Sequence, residues 1–130
     1  MPNYFCIVLG DPTPEGKNQV EQGWYKPANH GYRDYPEPGD LILFYCTSNY
    51  KEHPQQVPGI GIVVEKNDKR KLKYTYLPLE TPLSRDELLQ RVGPDEQHRL
   101  ENLHIVQNFL FPLDRASFAR VMDGQTIEWP

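Results

Sequence analysis

The sequence predicts an α+β fold, a strand-dominated core of hairpins with helices set to its side. Three observations predict it. Short apolar runs bounded by Gly, Pro, Asn and Asp recur through the first two thirds of the chain, the pattern of strands between turns. Helix signals are confined to the last third. The chain also carries 13 prolines, about twice the usual ~5% usage. Proline speaks against a helical bundle, because it removes a helical hydrogen bond and clashes with the preceding turn.

The elements follow in order. A first strand over Tyr4 to Leu9 stops at the turn Gly10-Asp11-Pro12. A second, Leu41 to Thr47, is launched from Pro36-Glu37-Pro38-Gly39-Asp40. A third, Gly59 to Glu65, puts Ile60, Ile62 and Val64 on one face and Gly59 and Gly61 on the other. Small residues on one face permit close approach of backbone or ligand. A fourth, Leu72 to Leu79, alternates Leu72, Tyr74, Tyr76 and Pro78 against Lys73, Thr75 and Leu77. The charged connection Lys66-Asn67-Asp68-Lys69-Arg70-Lys71 joins the third to the fourth as a hairpin. Ser84-Arg85-Asp86-Glu87 is a capping box that opens a helix ending near Gly93-Pro94. Asp95 to Leu103 reads as a second helix, Ile105 to Leu110 as a fifth strand, and Asp114 to Met122 as a last helix with Gly124 just beyond it. The segment Asp11 to Pro38 has no clear period. A long irregular stretch in a compact domain is either functional or disordered. Its Trp24, Tyr25, Tyr32 and Tyr35 favour an ordered, functional loop.

The length fits one domain spanning residues 1–130. Cys6 and Cys46 each sit inside an apolar run, which reads as two small core residues in a reducing, cytoplasmic setting. No apolar stretch has the length of a membrane span, and the Met1-Pro2-Asn3-Tyr4 start resembles no signal peptide. The net charge of −4 excludes a strong non-specific grip on nucleic-acid backbone, which needs a basic domain. No nucleophile elbow, phosphate-binding loop or dinucleotide fingerprint occurs. His30, His53, His98 and His104 show no metal-ligand spacing, and neither a metal nor another cofactor is expected.

Three stretches resemble one family. Pro38-Gly39-Asp40-Leu41-Ile42-Leu43-Phe44-Tyr45-Cys46-Thr47-Ser48 is similar to the EVE-domain signature, a Gly-Asp pair before an apolar strand that ends in Phe-Tyr and a small polar residue. Val57-Pro58-Gly59-Ile60-Gly61-Ile62-Val63 resembles the next EVE strand, and Asn108-Phe109-Leu110-Phe111-Pro112-Leu113 the closing segment. Gly10-Asp11-Pro12 stands where EVE proteins often carry Ser-Glu-Pro. The loop after the first strand departs most, being reduced to Gly23-Trp24-Tyr25. The resemblance implies a PUA-like pseudobarrel of five or six strands, related to YTH, SRA and ASCH domains. It also implies a pocket that encloses one flipped base of nucleic acid, DNA ahead of RNA and a modified cytosine such as 5-methylcytosine ahead of other bases. A restriction or other nuclease or NTPase is the expected assembly partner, and no membrane is involved.

Enclosing an unstacked base requires aromatic faces and a few short polar groups to recover the cost of flipping. Trp24, Tyr25, Tyr45, Thr47, Ser48, Asn49 and Tyr50 supply both, with Asp11 as a further acceptor. Phe44 and Tyr45 must face opposite sides of their strand. Ile42 shares the Phe44 face, so Phe44 is expected in the core and Tyr45 in the pocket beside Trp24. The bland reading of Thr47 to Tyr50 is an ordinary turn. Lys17, Lys26, Arg33 and Lys51 flank the aromatic segments and are expected at phosphates; the run Lys66, Lys69, Arg70, Lys71 and Lys73 reads as a solvated hairpin tip or a further phosphate contact. The competing reading is an enzyme. The ASCH branch of the superfamily includes small nucleoside amidohydrolases, and Asp11, Lys17 and Lys26 could provide the acid and base. A third reading is an RNA-binding module.

Overall fold

The computed structural model describes residues 2–10, 20–25, 35–48, 50, 52–67, 71–101 and 109–127. Six strands form one sheet: β1 (Tyr4–Leu9), β2 (Trp24–Tyr25), β3 (Leu41–Cys46), β4 (Gln56–Lys66), β5 (Leu72–Ser84) and β6 (Phe109–Leu113). Their order across the sheet is β2-β5-β4-β3-β1-β6, and the sheet curls into a half-barrel. β1 runs parallel to β3 and all other neighbours are antiparallel. Three helices, α1 (Arg85–Arg91), α2 (Pro94–Glu101) and α3 (Arg115–Met122), complete the domain.

The alternation along the strands divides the core in two. Cys6, Val8, Leu43, Tyr45, Ile60, Leu77 and Leu83 point to the face where Leu88, Val92, Leu100, Phe118 and Val121 of the helices pack. Phe5, Ile7, Leu9, Ile42, Phe44, Cys46, Val63, Leu72 and Tyr74 point to the other face. There they meet Tyr25 of the short edge strand β2, Val20 of a 3₁₀ turn, and Tyr35 and Tyr50 from irregular segments rather than α-helices.

Local signals explain the ends of the elements. The Ser84 side chain accepts from Glu87 N–H while Glu87 reaches back to the Ser84 N–H, so the capping box forms as read. Asp114 caps α3 by accepting from Ala116 N–H at 3.0 Å. The Gly39-Asp40 pair has a structural task. Gly39 turns the chain with φ +94°, and the Asp40 carboxylate accepts from Asn3 N–H at 3.0 Å and Glu37 N–H at 2.9 Å. That carboxylate thereby aligns the start of β1 with the start of β3.

The strands differ in places from the sequence expectation: β4 starts at Gln56 rather than Gly59, and the short β2 falls in the segment read as a loop. β5 continues through Pro78 and Pro82 to Ser84, and β6 runs over Phe109–Leu113 rather than Ile105 to Leu110. Both strands have a free side there. β6 is the last strand of the sheet, and β2 pairs with β5 only at Leu72 and Lys73. Proline lacks an N–H to donate, so it is tolerated along such edges. Residues 105–108, like the end of the second predicted helix, lie outside the described residues.

Candidate functional site

The loop-covered face carries an aromatic platform. In the β4–β5 ladder Gly59 stands opposite Pro78 and Gly61 opposite Tyr76. A Cβ at Gly59 would come within 2.7 Å of the Tyr76 ring, and one at Gly61 within 2.9 Å of Phe44 and 3.0 Å of Tyr74. Without side chains at those two positions, three rings lie down across β4. Phe44 and Tyr74 have centroids 4.8 Å apart, Phe44 and Tyr76 6.2 Å apart. Phe44 and Tyr74 are buried, whereas Tyr76 at the margin is only half-buried. The tyrosine hydroxyls are uncharged at any physiological pH. Burial pushes Tyr74 and Tyr76 far up, reinforced for both by the Glu21 carboxylate.

A 3₁₀ turn over Val20–Gln22 lies across this platform. Two tyrosines hold it. The Val20 N–H donates to Tyr50 Oη at 3.0 Å, and Tyr74 Oη donates to the Val20 carbonyl at 2.7 Å. Burial raises the Tyr50 hydroxyl to about 12, partly offset by its bond to Val20. The turn delivers Glu21 to His53, whose Nε2 lies 2.9 Å from Glu21 Oε1. His53 in turn stacks on Tyr50 with centroids 5.6 Å apart, and its N–H donates to the Tyr50 carbonyl. The connection between β3 and β4 is tightly wound. The Thr47 carbonyl accepts from both Tyr50 and Gln55 N–H, and Gln55 adopts φ +52°, the one positive φ outside glycine among the described residues. Backbone held in that region is costly for a side-chain-bearing residue and persists only where its surroundings fix it.

Glu21, Glu52 and His53 offer donor atoms within 4.8 Å of one another, the group among the described residues that could hold a divalent cation. Sequence spacing could not reveal it, because Glu21 and His53 are 32 residues apart. The Cys6 and Cys46 thiols are buried and unbridged, and burial pushes both far up, which removes them as nucleophiles.

The residues expected in one pocket are distributed more widely. Tyr45 and Phe44 do face opposite sides, and Phe44 is core as read. Tyr45, however, is 3% exposed and packs toward the helices; its hydroxyl bonds Arg85, and burial raises it against the pull of that guanidinium. Tyr45 on β3 and Trp24 on β2 stand with β4 and β5 between them in the sheet. Tyr25 and Tyr50 are fully enclosed in the loop-side core, so the structure uses their rings for packing. Trp24 stands opposite Lys73 near the start of β5. Cys46, just before Thr47, stands opposite Gln56, itself opposite Ser84 at the end of β5. Trp24 and the Thr47-Ser48 turn thus mark opposite ends of one ladder. Asp11, Lys17, Lys26, Arg33, Asn49 and Lys51 lie outside the described residues. The sequence reading missed Glu21, His53, Tyr74 and Tyr76 as site residues. The glycine face opposite the Tyr74-Tyr76 face was the available signal for the last two.

No family model matches this chain, and no curated protein matches it in sequence. Solved structures do match in fold. The ASCH protein from Zymomonas mobilis aligns with a TM-score of 0.55 at 14% identity, covering 95% of this chain and 96% of that one. A serine-to-alanine mutant of it aligns at 0.56 and 13%, covering 97% and 100%. The NMR structure of Rpa0253 from Rhodopseudomonas palustris aligns at 0.55 and 15%, covering 94% and 93%. The molecule is an α+β domain with the PUA-like fold of ASCH domains. At 13–15% identity these neighbours show the fold alone and do not single out the EVE family. No helix among the described residues is long and apolar enough to cross a membrane.

Proposed function

We propose that this domain binds a nucleobase within nucleic acid, and that its preferred target is a modified cytosine in DNA. The observation that carries the reading is the margin of the aromatic platform, where Tyr76 is half-buried and the turn that Tyr74 and Tyr50 hold presents the exposed Glu21 carboxylate. An unstacked base needs a ring to lie on and an acceptor or donor at its edge. Glu21 suits the exocyclic amine of cytosine, which a carboxylate accepts well. Adenine also has an exocyclic amine, so the choice of cytosine rests on the resemblance to EVE domains. A buried methyl group adds ~0.8 kcal/mol. A hydroxymethyl group would need a polar partner. The Tyr50 hydroxyl already serves Val20, which leaves Ser48 and Asn49 for that task. A nuclease or NTPase partner belongs to the same reading.

The test is competition at fixed salt among DNAs carrying 5-methylcytosine, 5-hydroxymethylcytosine, N6-methyladenine or no modification, with matched RNAs. Equal affinity for all would refute the reading. Preference for methyladenine would keep base recognition and discard cytosine; preference for RNA would discard DNA. Glu21→Gln should weaken binding of the preferred base by ~1–3 kcal/mol and leave the unfolding midpoint unchanged.

A second reading, an ASCH-like nucleoside amidohydrolase, is favoured by one observation. The Glu21–His53 contact of 2.9 Å is an acid–base pair of the kind that activates water. Incubation with amide-bearing nucleosides would decide it. Release of the free amine by the parent, abolished in His53→Gln, supports catalysis; no release leaves binding as the function. The other acid and base candidates, Asp11, Lys17 and Lys26, lie outside the described residues.

A further inference from the structure

The segment that carries Glu21 to the platform continues through Gly23 into β2, and there its surroundings change. Gly23 takes φ +84°, and its carbonyl accepts from Tyr74 N–H at 2.9 Å, which locks the chain onto β5. Trp24 follows, on the outermost strand of the sheet. Its neighbour Tyr25 is fully buried, but Trp24 is only half-buried. The Lys71 ammonium sits over its ring, 4.5 Å from the centroid. Lys73, directly across the ladder, is 61% exposed.

These two cations are loosely committed. Lys73 meets Glu65 at 3.6 Å with both side chains largely in water, and such pairs hold neither partner firmly. Lys71 forms no ion pair among the described residues. A chain of net charge −4 thus gathers positive charge at one sheet edge, around an indole ring the core does not enclose. Aromatic faces interleaved with cations are what single-stranded nucleic acid binds, bases on the rings and phosphates on the cations.

We propose that this edge is a second nucleic-acid subsite, which holds the strand flanking the enclosed base. A flanking base stacks on Trp24, and Lys71 and Lys73 take the adjacent phosphates. Trp24 is three residues from Glu21, a span of at most roughly 10 Å, and with Lys73 it faces away from Tyr25 and Leu72, so a strand leaving the platform reaches it by rounding this outermost edge. The inference rests on the base-binding reading above and assigns Trp24 outside the base pocket.

The test uses the whole domain with two probes. One is a fluorescein-labelled single-stranded 12-mer carrying one 5-methylcytosine, followed by anisotropy. The other is free 5-methyl-2′-deoxycytidine, followed by calorimetry. Trp24→Ala should weaken the 12-mer by about five- to a hundredfold and leave the free nucleoside unaffected. Lys71→Gln with Lys73→Gln should weaken the 12-mer likewise and reduce the slope of log K against log salt by about 1.4, two phosphates at ~0.7 each. Should Trp24→Ala unfold, the lysine pair decides. Parent-like affinity for the 12-mer, within about twofold in the lysine variant, overturns the subsite and leaves base binding standing. A parent protein that binds the nucleoside but gains nothing from the strand does the same. A parent that binds neither probe overturns both.

Discussion

The two faces of the sheet are closed by different chemistry. Under the helices the covering residues are mostly aliphatic, with Leu88, Val92, Leu100 and Val121 meeting Leu43, Ile60, Leu77 and Leu83. Across the sheet, rings dominate: Phe5, Tyr25, Tyr35, Phe44, Tyr50 and Tyr74. A helix satisfies its own backbone, so its side chains need only pack. Irregular chain cannot, and a buried N–H or C=O left unpaired is costly. Tyr50 and Tyr74 answer that need together, since their hydroxyls serve the N–H and the carbonyl of Val20. The chain's abundance of tyrosine is therefore in part a consequence of covering a face with loops. The same rings give that face an aromatic surface a helix-covered face lacks.

This contrast can be broken by mutation. Leu88→Ala, on the helical side, should cost ~2–5 kcal/mol of stability by leaving a cavity, read from urea midpoints, with base affinity unchanged. A parallel loss of affinity would mean that the faces are not independent. Gly59→Ala should cost about 1–3 kcal/mol by overpacking, because the added carbon meets the Leu77 carbonyl at 2.6 Å and the Tyr76 ring at 2.7 Å. Here affinity should fall as well, as Tyr76 is displaced; retention of full affinity would remove Tyr76 from the site. Tyr50→Phe keeps the ring but orphans the Val20 N–H, an expected loss of ~1–3 kcal/mol. Amide exchange at Val20 should accelerate beyond the global change, and a uniform change would argue against the local tie.

Alkaline pH sharpens the contrast without mutation. Tyr50 titrates at about 12 in the fold against ~10 in unfolded chain. A raised acid favours the fold fully below pH ~10, and that contribution is lost as pH rises toward 12. Tyr74 and Tyr76 are shifted the same way. Urea midpoints should hold steady to about pH 9 and then decline, less steeply in Tyr50→Phe. A flat profile to pH 11 would show that these hydroxyls reach water.

What the sequence made legible was local. The capping box at Ser84 and Glu87, the last helix up to Met122 and the glycine face of β4 each depend on neighbours within a few residues. The strand ends at Pro82 and Pro112 were not legible, because tolerance of proline depends on which strands have a free side, a property of the whole sheet. The site suffered from the same limit. Glu21 meets His53 only because Tyr50 and Tyr74 fix the turn between them, and no spacing rule encodes that meeting. Tyr45 was placed on the correct face relative to Phe44, yet which face faces loops and which faces helices is set by the chain's path around the sheet.

The position of β1 bears on how the chain must fold. This first strand is interior to the sheet, flanked by β3 on one side and by β6 on the other, with Tyr4 opposite Leu113. Its second flank is supplied by residues about a hundred positions later, so closure waits for nearly the whole chain, and high contact order slows folding. During synthesis β1 and β3 would stand with an unpaired rim, the kind of template on which other chains nucleate. A ribosome-released fragment ending before Phe109 is thus expected to aggregate, while the 130-residue chain, with that rim covered, is not.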